Sequence, residues 1–353
     1  LAEQLEQFML GMFHKLRVYY LAPLVFRDAC IFGTGVLKLS IGHDNEIHLE
    51  RVLVDDIIVD ESTVPYGEEP LEMHHVRRVP RATLIRLYPD KEDTIKEASN
   101  SRSLYGYDEP YRNNDMVTVV ESWRRGPKGR HVLAVSSGVL SDTPYNKDGF
   151  PFVAYRWSPP ITGWYGQGLA EDLLGFQVRL NELNEFIQKA QDLFAVPRVF
   201  FDASTKTFKP QLDNTIGAII PYVGRPPQFF TPQAVGSEIY AYKEQLKQSA
   251  FEFAGISRMA AHATRPEGIE AGVALRELSD NQSQRFAIQQ GRYEEMFMQL
   301  GQKLVELVHQ QAKRGRLPKV VAANKFSREI DWPAADFEKH RFTMRIAPSS
   351  MIS

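Results

Sequence analysis

From residue 168 to 195 apolar side chains recur every three or four positions, at Leu169, Leu173, Phe176, Leu180, Leu183, Ile187, Ala190 and Phe194, with Pro197 just beyond. A stripe of that period predicts one uninterrupted amphipathic helix, roughly 40 Å long at about 1.5 Å per residue. A second helix fits 234–254, with Ile239, Tyr242, Leu246, Ala250 and Phe253 on one face and Gly255 as its stop. By the same rise it runs for roughly 30 Å. A third fits 273–311, roughly 60 Å, and its wholly polar centre at 279–284 predicts a kink or an exposed stretch. Between the first two, 197–232 holds β-prone runs at 199–201 and 218–223, punctuated by Pro210, Pro221, Pro226, Pro227 and Pro232. Between the second and third, 257–272 carries small, polar and turn residues and reads as a loop. Two long helices around a compact β element make a protruding arm whose stripes one chain of this size cannot bury. Neighbouring copies must then cover them, and repeated head-to-tail packing closes a ring.

The N-terminal part has another character. Apolar residues at helical spacing run through Leu5, Phe8, Met12, Leu16 and Tyr19, then Leu24, Phe26 and Cys30; Pro23 is expected to split two helices, and Gly33 and Gly35 to stop the second. β-prone runs follow at 35–41, 51–59, 73–79, 117–123, 131–136 and 152–157. Helical turns at 82–87 and 93–99, and a Tyr-, Asn-, Asp- and Ser-rich loop at 101–115, complete an α+β body.

At 353 residues the chain exceeds the usual span of one core, so several regions are expected. Its formal net charge of -2 lacks the basic excess of a protein that grips DNA by its phosphates. Tight non-specific binding is thereby disfavoured, whereas passage of DNA is not, because a strong grip would stall the cargo. No apolar run reaches the length of about 18 residues that a membrane-spanning helix needs, and no signal-peptide pattern opens the chain. Cys30 is the single cysteine, so neither an intrachain disulfide nor a thiolate zinc site is available, and its apolar helical context marks it as core. The start at Leu1 and the end at Ser353, just after a strand-like run at 342–346, predict truncation at both termini.

Enzyme motifs are weak. The cluster Gly163-Trp164-Tyr165-Gly166-Gln167-Gly168 precedes a helix, but its order does not fit a dinucleotide fingerprint and no P-loop exists, so it reads as a strand-to-helix turn. His74 and His75 are adjacent, and in a strand they point to opposite faces. Asp55, Asp56, Asp60 and Glu61 are the acids that would suit a two-metal nuclease; without a histidine or lysine at a telling spacing they read as loop acids bounding 57–59. No serine sits in G-x-S-x-G. Phe200, Phe201, Phe208, Phe229 and Phe230 read as an intersubunit β core rather than base-stacking platforms. No catalytic residue, metal or cofactor is expected.

Several of these segments resemble one family. Tyr165-Gly166-Gln167-Gly168-Leu169-Ala170-Glu171 followed by Leu180-Asn181-Glu182-Leu183-Asn184 is similar to the start of the stem helix of tailed-bacteriophage portal proteins, the head-to-tail connectors. Phe32-Gly33-Thr34-Gly35 with Leu37 and Lys38 resembles their early wing, and Trp332 with the run 342–350 resembles the segment before their crown. The resemblance implies a portal fold: an α/β wing at 1–163, a first stem helix at 164–196, a clip at 197–232, a second stem helix at 233–256, a channel loop at 257–272, a long wing helix at 273–315 and a return toward the crown at 316–353, with the full crown missing. It implies a structural subunit, not an enzyme. Copies form a ring, commonly a dodecamer, at one capsid vertex of the virion, assembled in the host cytoplasm. Double-stranded DNA is packaged and ejected through it. The partners implied are the terminase large subunit, capsid and scaffold proteins, and head-tail adaptor or tail proteins, with no membrane.

Within that frame the candidate residues fall into four sets. Arg258, His262 and Arg265 on the loop would touch DNA. Arg198, Lys206, Lys209 and Arg225 are sparse clip cations for partner docking. The first stem helix carries five acids against two bases, and Glu171, Glu182 and Glu185 would form an acidic channel wall that repels phosphate. Leu173, Leu180, Leu183 and Ile187 would form the intersubunit seam. The rival readings are a metal-dependent nuclease or other DNA-processing enzyme, and another virion structural component such as a tail or baseplate protein.

Overall fold

The computed structural model describes residues 2–42, 44–64, 69–99, 115–195, 198–200, 228–230, 236–256 and 286–313. The chain divides into two units, 1–172 with 283–353 and 173–282.

In the first unit, helices α1 (Ala2–Lys15) and α2 (Val18–Phe32) meet at Arg17, whose φ of 55° lies in the left-handed region. The helix break thus precedes Pro23, which sits inside α2 instead of dividing two helices. A proline there removes one amide donor to the carbonyl of Tyr19, in a turn where Tyr19 and Tyr20 are more than half exposed and water can take its place. Val18, Ala22, Val25 and Ala29 meanwhile anchor both sides of the proline in the core.

Strand β1 (Thr34–Ile41) pairs antiparallel with β2 (Ile47–Val52) and with β8 (Phe152–Arg156). A second sheet is a five-stranded meander of β3 (Ile57–Val59), β4 (Glu72–Pro80), β5 (Met116–Arg124), β6 (Arg130–Val135) and β7 (Gly138–Pro144). The run expected at 51–59 is two strands separated by a 3-10 turn at Val54–Asp56, because the Asp55-Asp56 pair interrupts the alternation. β7 was not legible as a strand: only Leu140 of its residues is buried.

β1 is buried on both faces, and its period of two assigns them. Leu37 and Leu39 join Met12, Val25, Tyr155, Leu300 and Leu304 in a core closed by α2 and by helix α8 (Ala287–Lys313). Full burial of leucines such as Leu300 and Leu304 contributes roughly 1.5–3 kcal/mol each. Val36 faces the other way and packs with Met73, Trp123 and Phe152 between the sheets. The five-stranded sheet buries one face only. Its Trp123 end meets the first sheet, while Val117, Val119, Leu133 and Val135 pack with Leu84 of α3 (Arg81–Leu87) and Ile95 of α4 (Glu92–Glu97). Arg51 on β2 forks Nε and Nη2 onto the two oxygens of buried Asp28, tying that strand to α2.

The second unit contains α6 (Leu174–Ala195), the antiparallel pair β9 (Arg198–Phe200) and β10 (Gln228–Phe230), and α7 (Ser237–Phe253). The helix expected to run unbroken over 168–195 is interrupted at Leu173, since Leu169–Asp172 forms a separate turn, α5, in the first unit. Periodicity cannot register this break: Leu169 packs against the first unit's core, whereas α6 packs against α7. Of the third helix expected at 273–311, the structure describes 287–313. The polar centre at 279–284, the loop at 257–272 and the strand run at 218–223 lie outside the described residues, as does nearly all of the loop at 101–115.

Candidate functional site

Helices α6 and α7 run antiparallel, shown by the rings of Phe176 and Phe253 at 5.8 Å near one end and by Gln191 Nε2 donating to Tyr240 Oη at 3.2 Å near the other. Leu183 and Ile187, expected at a seam between subunits, are each 7% exposed in the single chain. They share the stripe of Phe176, so their burial needs no second copy. Leu173 lies at the turn before α6, half-buried, and Leu180 is half-buried on the edge of the same stripe.

The opposite side of α6 is different. At about 3.6 residues per turn, Leu174 and Val178 fall across the helix from Leu183 and Ile187, and Phe186 lies on the flank between the two sides. They are 59%, 49% and 54% exposed. The sequence stripe concealed this second apolar face because it counted one side only. Glu182 and Glu185 share the exposed side, and both are paired within the helix: Arg179 Nη1 donates to Glu182 at 2.8 Å and Lys189 Nζ to Glu185 at 2.5 Å. The Lys189 hydrogen bond holds the Glu185 carboxyl below its usual range, and the Glu182 bond raises Arg179. Because α5 stands apart, Glu171 and Asp172 leave α6 with three acids against two bases, a weaker negative wall than the sequence count implies.

Of the clip cations, Arg198 lies on β9, while Lys206, Lys209 and Arg225 fall outside the described residues, as do the loop residues Arg258, His262 and Arg265.

In the first unit the acids considered for a metal centre are held otherwise. Asp60 accepts from Ser62 N at 3.0 Å, Glu61 accepts from Trp164 N at 3.3 Å, and burial, then the charge of Asp55, raises Asp56. Among the described residues no group of three histidine, cysteine or acidic side chains gathers for a metal ion. Four of the six amides in the glycine cluster are spent as well: Gly163 N on Val64 O, Trp164 N on Glu61 Oε1, Gly166 N on Thr34 Oγ1 and Gln167 N on Ser158 O. Burial raises the Cys30 thiol pKa.

His74 and His75 do alternate. His74 Nδ1 meets Ser122 Oγ outside, and His75 turns inward to Lys38 Nζ at 3.2 Å. Lys38, 2% exposed, reaches Glu121 Oε2, and His131 Nε2 meets Glu121 Oε1 at 2.9 Å. Sequence reading missed this network, although a lysine inside Val36-Leu37-Lys38-Leu39 was its signal.

Residues 24–160, from within α2 through β8, match the family described as phage P22-like portal protein. The match supports the tailed-phage portal protein family. Portal proteins are in general structural rather than enzymatic, oligomerise as rings at a capsid vertex and meet capsid and terminase proteins. The matched stretch contains both sheets of the first unit and the whole Lys38 network. No curated protein matches the chain. Among the described residues no helix is long and apolar enough to cross a membrane.

Proposed function

We propose that this chain is one subunit of a ring at a capsid vertex, through which double-stranded DNA enters on packaging and leaves on ejection. The portal-family match over 24–160 carries the reading. The exposed apolar face of α6 supports it, since an isolated helix pair gains by covering Leu174, Val178 and Phe186 with a second copy. In this reading the seam expected at Leu173, Leu180, Leu183 and Ile187 shifts around the helix to Leu174 and Val178 with Phe186 on their flank, while Leu180 stays beside the buried stripe.

The remaining roles follow from the same proposal. The ring is a dodecamer. Its clip, with Arg198, Lys206, Lys209 and Arg225, docks the terminase large subunit and later head-tail adaptor proteins, and its body meets capsid and scaffold. Arg258, His262 and Arg265 contact the duplex transiently, each weakly at physiological salt. Glu171, Glu182 and Glu185 line the passage and keep phosphate from sticking. No residue is catalytic.

Native mass measurement with electron microscopy of the purified protein tests this reading. A closed ring with a channel wide enough for a duplex is the expected result, and a monomer in dilute and concentrated solution alike would overturn it.

A further inference from the structure

A cleft of about 250 Å³ lies in the first unit between β8, the strand β4 and helix α8, and it holds two cations, Arg156 and Lys303, that form no ion pair among the described residues. Arg156 is fixed at its back. Its Nε donates to Trp164 O at 2.8 Å and its guanidinium carbon stands 4.7 Å from the Trp164 ring centre, so the plane of the fork is set. Among the described residues neither Nη of Arg156 has a hydrogen-bond partner. Burial lowers the Arg156 pKa, with only the charge of Glu69 acting against it. Lys303, on α8, spends one of its three donors on Phe150 O at 2.8 Å and forms no ion pair among the described residues. Gln302 lines the same space.

An arginine fork held by Trp164, with both Nη groups open to the cleft, offers its remaining donors to an incoming anion, and its planar shape fits the two oxygens of a carboxylate. Two exposed acids, Glu69 and Glu306, stand at the lining and raise the cost of a divalent or polymeric anion. Met73, Phe150, Phe152 and Trp164 back the cleft but are themselves nearly fully buried, so the surface it presents is mainly polar. We infer that this cleft binds one carboxylate of a polypeptide, such as a free C-terminus. Arg156 takes the carboxylate through both Nη atoms and Lys303 closes on one oxygen. The inference does not depend on ring assembly.

The probe is acetyl-Ala-Ala-Leu with a free C-terminal carboxylate, set against its C-terminal amide and against inorganic phosphate, each titrated into the 353-residue chain by ligand-observed NMR. We expect the free acid to bind with a dissociation constant of about 1–10 mM, and the amide at least about tenfold more weakly. Lys303→Gln should weaken the acid by about threefold or more while the protein remains folded, and Arg156→Gln should weaken it further. Equal binding of acid and amide, phosphate binding more tightly than the acid, an acid affinity untouched by Lys303→Gln, or no acid binding up to about 20 mM would each overturn the assignment.

Discussion

Lys38 Nζ lies 2.5 Å from Glu121 Oε2, joining the central strand of one sheet to the central strand of the other through a nearly dry interface. The lysine side chain is 3% exposed and the glutamate 12%. The ammonium also stands 5.1 Å from the Trp123 ring centre. The pair occupies the point where the buried face of the five-stranded sheet passes from the intersheet core to the core under α3 and α4.

Removing one member leaves the other charged with only a weaker partner, His131 at 2.9 Å for Glu121 and Glu50 at 3.7 Å for Lys38. Lys38→Met is expected to destabilise the first unit by about 3–5 kcal/mol, while Lys38→Met combined with Glu121→Leu recovers more than half of that, since a buried pair is replaceable by well-packed apolar groups. Denaturant midpoints of the two variants decide it. A double variant no more stable than the single one contradicts the prediction.

The same network sets an acid sensitivity. Burial, then the Lys38 charge, lowers the His75 pKa from 6.5 to about 4, outweighing the pull of Glu121. Burial works to raise Glu121, but the His131 hydrogen bond and Lys38 outweigh it and hold the carboxyl at about 2. Both folded values are depressed, so both contributions are present at neutral pH and are lost on acidification. His75 gives up its share as pH falls from 6.5 to about 4, because the unfolded chain takes the proton first. Glu121 follows from 4.5 to about 2. The His75 window is worth about 3 kcal/mol. Unfolding free energy measured from pH 7 down to about 4 should therefore decline, and His75→Gln should flatten that decline; identical slopes in the two proteins would refute it.

Gly33 ends α2 with φ of 82°, and a Cβ there would lie 1.9 Å from the Gly166 carbonyl oxygen. Gly33→Ala therefore combines backbone strain with an overlap against main chain that cannot swing away, and a loss of more than about 3 kcal/mol is expected. Gly126, with φ of 110°, has open space around it. Gly126→Ala should cost only about 1–2 kcal/mol, the backbone share alone. Thermal melts of the two variants separate the contributions, and similar losses at both positions would show that the close approach to Gly166 carries no weight.

The two faces of α6 should respond differently to charge. Leu183→Asp buries a carboxylate against α7 and should lower the stability of the second unit by several kcal/mol, about 3–5, seen as lost helicity and an earlier melt. Phe186→Asp falls on the exposed face and should leave helicity unchanged. In the ring reading it should instead shift native mass toward small species. If Phe186→Asp assembles normally, the seam does not run along that face.

Much of this architecture was readable from periodicity. Stripes and alternation mark α1, α2, α6, α7, α8 and most strands of the two sheets, because a face that must be buried imposes its period on the residues whatever covers it. The α+β class rests on that local order, and the family match over 24–160 takes in Phe32–Gly35 but not Tyr165–Glu171. What periodicity cannot name is the partner. Only tertiary contacts reveal that Leu169 and Leu183 serve different units, that Leu183 and Ile187 are buried within a single copy of the chain, and that Pro23 is carried inside a helix by the core on either side. The ties of Lys38 to Glu121 and of Arg156 to Trp164 are likewise invisible in one dimension. Each joins residues distant in sequence or unrelated in pattern, and charge burial depends on what surrounds a group in space, not on its neighbours along the chain.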